Sequence, residues 1–261
     1  MLLLLDIGNT HTHLGLACGD KVLRSLDIPT SAWADGTAAA SVDKFTARHI
    51  LEGVATCSVV PLMSEKVRIY TAKRGLNIFE LNSKTVSGIG IDYPKPSSIG
   101  PDRLANSIAA FHYWGAPVVV VDFGTAVTFD VVNRSGDYVG GIIAPGLSAM
   151  TSYLHEKTAL LPKIKIRETK AVIGRNTREA MLIGAIHGYR GLIKELLGNL
   201  RRELGVRKLC VIATGGYADL ISSQLPEIQE VCNELTLQGL RIAWNHHRQP
   251  KPCLNSSNQV A

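Results

Sequence analysis

Two short apolar runs, Leu2 to Leu5 and Val118 to Val121, are unbroken by any polar residue, which predicts strands buried on both faces. Each ends in Asp-x-Gly followed by a small polar residue: Asp6-Ile7-Gly8-Asn9-Thr10 in the first, Asp122-Phe123-Gly124-Thr125-Ala126 in the second. A second strand-like stretch follows each, His13 to Cys18 and Val127 to Asn133. Gly19-Asp20 and Gly136-Asp137 then predict hairpin turns into third strands, Val22 to Ile28 and Tyr138 to Ile143. The two units start 116 residues apart. That period is too long for a solenoid and predicts two similar α/β domains facing each other.

The remaining pattern alternates. Ser41 to Leu51, Leu62 to Arg74 (behind Pro61) and Asp102 to Trp114 have helical spacing, the last through Leu104, Ile108 and Phe111. Val54 to Ser58, Asn77 to Leu81 and Lys208 to Ala213 predict strands. Asn176 to Leu204 is a long amphipathic stretch opened by Asn176-Thr177-Arg178-Glu179, a cap with acid in the first turn. Ser83 to Gly100 is rich in Gly, Pro and Ser and predicts a loop crossing between the halves. The expected division is a first domain over 1–115, a second over 116–245 and a flexible tail over 246–261.

Composition narrows the setting. With 46% apolar and 19% charged residues, the chain of 261 residues reads as folded and long enough for a sizeable core. The formal charge of +6 favours anionic partners. Its clusters, Lys163 to Lys170 and Arg201 to Lys208, carry no nucleic-acid motif, so neither nucleic acid nor membrane is expected as a partner. Five cysteines with no Cys-x-x-Cys fit reduced thiols and a cytoplasmic location.

The chemistry begins at the two Asp-x-Gly turns. Gly lets backbone N–H groups approach phosphate, hydroxyls and amides such as Asn9, Thr10 and Thr125 add hydrogen bonds, and a strand-end carboxylate can hold a charge-neutralising cation. Neither a P-loop nor a dinucleotide fingerprint is present, so nucleotide binding would need both turns as a clasp. Gly215-Gly216, closing the strand from Lys208, would let a flat ring approach or simply turn the chain. Gly100-Pro101-Asp102-Arg103 opens a helix and also reads two ways. Asp102 is either a cap or a base for a substrate hydroxyl; Arg103 is either a surface charge or a bidentate partner for a substrate carboxylate. His11 and His13 share one face of a strand, beside the nucleotide site or as part of a metal site.

Together these segments resemble the type III pantothenate kinases, within the acetate and sugar kinase, Hsp70 and actin superfamily. The similarity lies in Asp6 to Thr10, Tyr93-x-x-Pro96 with Gly100 to Arg103, Asp122 to Ala126 and Gly140-Gly141-Ile142-Ile143-Ala144-Pro145-Gly146. Thr158 to Pro162, Gly174 to Thr177, Thr214-Gly215-Gly216 and Leu235 to Leu240 extend it. The resemblance implies two ribonuclease H-like domains across a nucleotide cleft and ATP-dependent phosphorylation of pantothenate to 4′-phosphopantothenate. It implies Asp102 as proton acceptor, and Tyr93, Gly100, Pro101 and Arg103 as pantothenate contacts, with Thr177 reaching in from the second subunit of a homodimer. It further implies ATP contacts from Asp6, Ile7, Gly8, Asn9, Thr10, His11, Thr12, His13, Thr125, Gly215 and Gly216. Asp6 would organise Mg-ATP and Asp122 would hold a monovalent cation, potassium or ammonium. Catalysis by positioning and charge neutralisation requires no raised pKa at Asp102. A phosphohydrolase of the same superfamily would not need Arg103 for a carboxylate. A regulatory protein on the same fold would not need Asp102, Asp122 and Thr125 together.

Overall fold

The computed structural model describes residues 1–248. Its strands are β1 (Leu2–Ile7), β2 (His11–Cys18), β3 (Lys21–Pro29), β4 (Gly53–Ser58), β5 (Ile78–Glu80), β6 (Gly90–Ile91), β7 (Val118–Phe123), β8 (Ala126–Val132), β9 (Asp137–Pro145), β10 (Cys210–Thr214) and β11 (Glu230–Val231). The helices are α1 (Ala32–Asp35), α2 (Thr37–Thr46), α3 (Pro61–Ala72), α4 (Pro101–Trp114), α5 (Leu147–Lys157), α6 (Thr177–Ile183), α7 (Tyr189–Glu203), α8 (Ala218–Ser222) and α9 (Leu235–Arg248).

The duplication is visible in the sheets. The first has strand order β3-β2-β1-β4-β5. The second has β9-β8-β7-β10-β11, with β6 added beyond β9. In both, the first three strands of the unit form an antiparallel meander and the next two run parallel to its first strand. β1 and β7 share one burial pattern along their six residues, with the Asp in fifth place as the only residue reaching solvent.

Alternation along each central strand feeds different layers. Leu3, Leu5 and Ile7 pack outward with Trp33, Val42 and Val67 of α1–α3. Val119, Val121 and Phe123 pack outward with Tyr189, Ile193 and Ile221 of α7 and α8. Leu2, Leu4, Val118 and Val120 point the other way, into one shared core with α4 and α9. That central layer joins the two halves, and α4 carries the expected substrate motif at its N-terminus.

Several expectations change in detail. The stretch from Asn176 to Leu204 is two helices joined by a π-helical turn at Gly184–Gly188. Residues 158–176 contain no regular element. The helix expected over Ser41 to Leu51 stops at Thr46, whose hydroxyl bonds back to the Val42 carbonyl (2.9 Å). The loop over Ser83 to Gly100 contributes β6, which pairs parallel to β9 of the second sheet. Conversely, α9 packs back against α4 and the first sheet, and Arg241 on it is buried among Asp20 Oδ1 (3.1 Å), Gln238 Oε1 (3.0 Å) and Tyr113 Oη (2.8 Å). His246 to Arg248, expected as tail, complete this helix, and 249–261 lie outside the described residues.

Candidate active site

The parallel and antiparallel neighbours of β1 and β7 bring their C-terminal ends to one cleft. Asp6 lies level with His13 on β2 and Cys57 on β4. Asp122 lies level with Thr128 and Thr214. The turn after β1 is closed by Gly8 N–H donating to the His11 carbonyl (3.0 Å), and Thr30 Oγ1 donates to the Gly8 carbonyl (2.7 Å). The turn after β7 rests on Gly146, where a Cβ would stand 2.2 Å from the Thr125 carbonyl oxygen. The two turns meet directly: Thr10 Oγ1 and Thr125 Oγ1 are 3.3 Å apart. Gly215 follows β10 at φ +91°, and a Cβ there would approach Asp122 Oδ1 to 2.5 Å, so glycine is required twice over.

Three carboxylates converge. Gly100 is the N-cap residue of α4, and Asp102 is the second residue of the helix. Its Oδ1 accepts from Arg103 N–H (2.8 Å), and among the described residues no hydrogen bond uses its Oδ2. Asp102 therefore satisfies a free helix N–H from inside the first turn, while Gly100 and not Asp102 occupies the cap position. Burial pushes its carboxyl above the usual range, against the pull of Arg103. Asp122 is pushed up to about 6, chiefly by burial, with Asn106 pulling down and Asp102's charge pushing up. Asp6 is raised by burial as well; His13 opposes the rise, and Asp102 and Asp122 add to it. The charge of Asp102 thus reaches both strand-end carboxylates, and that of Asp122 reaches Asp6.

Beside them lie the residues expected to contact the substrate. Arg103 donates through Nε to Asp130 Oδ1 (2.5 Å) and through Nη2 to the Phe129 carbonyl (2.9 Å), which fixes its guanidinium against β8. Tyr93 meets the edge of Tyr138 with ring centroids 6.0 Å apart, and Gly140 leaves room for the Tyr93 ring. Tyr93 and Arg103 are thereby brought together on one surface. Thr177 is not: it sits on exposed α6, where Asn176 Oδ1 caps Glu179 N–H (3.0 Å), and no hydrogen bond among the described residues links it to Asp102 or Arg103. His11 and His13 do not form a metal site. His13 Nδ1 pairs with Asp27 Oδ1 (2.5 Å), and among the described residues no three His, Cys, Asp or Glu side chains converge as ligands.

Four supporting residues escaped the sequence reading. Cys57 Sγ donates to Asp6 Oδ1 (3.3 Å). Asn106 Nδ2 donates to Asp122 Oδ2 (3.1 Å), and its Oδ1 accepts from Thr236 Oγ1 (2.7 Å). Asn106 could have been found, because it stands four residues after Asp102 on the same helical face. Asp130 also leaves a trace, as the lone carboxylate in an apolar strand. Thr236 lies in the Leu235 to Leu240 segment already singled out, though its partner could not be read there, and Cys57 leaves no trace, since long-range packing alone brings it in.

Comparison with known proteins agrees with this geometry. The family model described as type III pantothenate kinase matches residues 2–199. A type III pantothenate kinase of Akkermansia muciniphila is 45% identical over 241 residues, covering 92% of this chain and 97% of that protein. One from Methylacidiphilum infernorum is 42% identical over 243 residues, covering 92% and 87%. Among solved structures, a putative 2-dehydro-3-deoxygalactonokinase from Sinorhizobium meliloti superposes with TM-score 0.62 at 13% identity, covering 98% of this chain and 99% of that one. A putative Baf family transcriptional activator from Campylobacter jejuni superposes with TM-score 0.58 at 18% identity, covering 94% and 98%. Those two likenesses concern the fold, a mixed α/β chain with two sheets of duplicated topology. The sequence matches reach further: this chain belongs to the type III pantothenate kinase family.

Proposed function

We propose that this protein transfers the γ-phosphoryl group of Mg-ATP to the primary hydroxyl of pantothenate, giving 4′-phosphopantothenate and ADP, the first step of coenzyme A synthesis. The observation that carries the reading is Asp102. One of its oxygens is held by the start of α4, the other has no hydrogen-bond partner among the described residues, and its charge acts on both strand-end carboxylates.

The hydroxyl oxygen attacks the γ-phosphorus, the bond to the β-phosphate oxygen breaks, and the hydroxyl proton passes to Asp102. Arg103 and Tyr93 hold the pantothenate, with Gly100 and Pro101 shaping the floor. The turn from Asp6 to His13, Thr125 and the Gly215-Gly216 backbone bind the nucleotide, Asp6 facing its magnesium. Asp122 keeps Oδ1 free of Asn106 and is the residue suited to a potassium or ammonium ion. In such phosphoryl transfers positioning and charge neutralisation supply most of the rate.

A homodimer belongs to the same reading. Leu160, Val172 and Ile173 are exposed on the irregular segment that leads to Thr177, and Ile143 of β9 and Tyr153 of α5 are exposed as well. Such a surface fits a second copy that inserts its Thr177 into the neighbouring cleft. We place the domain division at residues 115 and 116, with α9 closing onto the first domain, and expect the protein in the reducing cytoplasm.

Purified protein with Mg-ATP and pantothenate, with and without potassium, should yield 4′-phosphopantothenate by mass spectrometry, and more of it with potassium. No product from folded dimer under either condition would reject the kinase reading; product indifferent to monovalent cations would remove that role from Asp122.

A further inference from the structure

The residue behind Arg103 has a role that the kinase reading leaves open. Asp130 lies on β8 with no exposed surface. Its Oδ1 accepts from Arg103 Nε (2.5 Å) and stands 3.4 Å from the Tyr138 hydroxyl. Its Oδ2 is buried without a partner. An aspartate in this place is costly, because a buried carboxylate must recover from a single guanidinium what it loses in hydration. A mere counter-ion for Arg103 is a poor reason to accept that cost, since the side chain of Arg103 is itself only 15% exposed and could be replaced by an apolar residue.

Geometry supplies a better reason. Arginine has four rotatable side-chain bonds, and a free guanidinium would sweep the pocket. Asp130 takes Nε and the Phe129 carbonyl takes one Nη2 hydrogen, so two edges of the plane are fixed from below. Tyr138 lies alongside, with Arg103 Cζ 5.9 Å from its ring centre. Gly141 completes the cradle: a Cβ there would fall 1.6 Å from the Phe129 carbonyl oxygen and 2.6 Å from Arg103 Nη2. Among the described residues no hydrogen bond uses the Nη1 group or the second Nη2 hydrogen, which leaves a pair of donors on the outer edge of the guanidinium plane. This is the fork that a carboxylate accepts bidentately.

We propose that Asp130 is a positioning residue that aims Arg103 at the carboxylate of pantothenate. It deepens the kinase reading and rests on it. Tyr138 belongs to the same cluster, bonding Asp130 through its hydroxyl and meeting Tyr93 through its ring. Both expected substrate contacts are therefore braced by neighbouring strands of the second sheet.

The test compares two acceptors, pantothenate and pantothenyl alcohol, which replaces the carboxylate with a hydroxymethyl group. In Asp130→Asn, kcat/KM for pantothenate should fall by ~10²-fold, the scale of a misplaced binding group. The loss should lie mainly in KM, with KM for ATP unchanged and the alcohol phosphorylated as by wild type. Equal losses on both acceptors, or no loss on either, overturn the role of Asp130. Should that variant not fold, as judged by its thermal transition, Arg103→Leu and Arg103→Leu/Asp130→Leu decide. Equal activity of these two on pantothenate supports action through Arg103, and a further loss in the double variant overturns it. A wild-type chain inert to pantothenate overturns the kinase reading and this inference together, a result distinct from an active wild type whose Asp130 variant fails to discriminate the acceptors.

Discussion

A carboxyl buried at the cleft costs stability, because burial disfavours its charged form. Asp122 shows this most directly. Its carboxyl is raised from 3.8 to about 6 in the fold, so between those values the folded chain holds a proton that the unfolded chain has lost. Stability therefore falls as pH rises through this window and stays lower above it, by at most about 3 kcal/mol. Asp122→Asn should melt several degrees above wild type at pH 7 in nucleotide-free protein, with the gap closing near pH 4; an unchanged melting temperature at pH 7 would mean that Asp122 is not strained. Asp102→Asn should keep the fold and lose most turnover, and wild-type kcat/KM should climb with pH as the raised Asp102 carboxyl ionises. Near-normal turnover in Asp102→Asn would take the base role from Asp102. At this scale the sequence was informative where function sits on a turn: Asp6, Gly8, Thr10, Asp122 and Thr125 could be read in line. Asp130 stood out only as a lone carboxylate in an apolar strand and Cys57 not at all, because their partners depend on which strand lies beside them.

Elements carry the site through their packing. α4 holds Asp102 and Asn106, and α9 crosses it at Gly239, where a Cβ would stand 1.9 Å from the Ala105 carbonyl oxygen. Gly239→Ala must push the helices apart, at a cost of about 1–3 kcal/mol. It should lower the denaturation midpoint and also raise the cation concentration needed for half-activity, because Thr236 would draw Asn106 away from Asp122. A lower midpoint with unaltered cation response would show that the crossing is structural only. Central strands were legible because an unbroken apolar run of four residues closed by Asp-x-Gly is too short for a helix and too apolar for a loop. Short pieces such as α1, α8, β6 and β11 have too few residues to show a period, and the π-helical turn at Gly184–Gly188 interrupts a pattern that reads as one helix.

For the whole molecule, the duplicated order of the two sheets was visible as an echo in the sequence, whereas the return of α9 was not. Periodicity marks which face of a helix is apolar and leaves its destination open. The second copy is equally invisible in one chain's pattern. If the exposed strip before α6 is its seat, Leu160→Glu and Ile173→Glu should shift the sedimenting species from dimer to monomer and abolish pantothenate turnover while leaving the thermal transition cooperative. An unchanged mass in both variants would place the interface elsewhere.

The burial of α9 against the first sheet also has a consequence on the ribosome. Leu2 and Leu4 share their core with Leu104 and Ile108 of α4 and with Leu237, Leu240 and Trp244 of α9, so the first sheet emerges with one face that α4 alone covers only in part. At roughly 5–20 residues per second, its covering helix follows only some ten to thirty seconds later. Throughout that interval the nascent chain keeps part of this apolar face exposed, the kind of surface that chaperones hold, and a break in translation before α9 would leave that part uncovered.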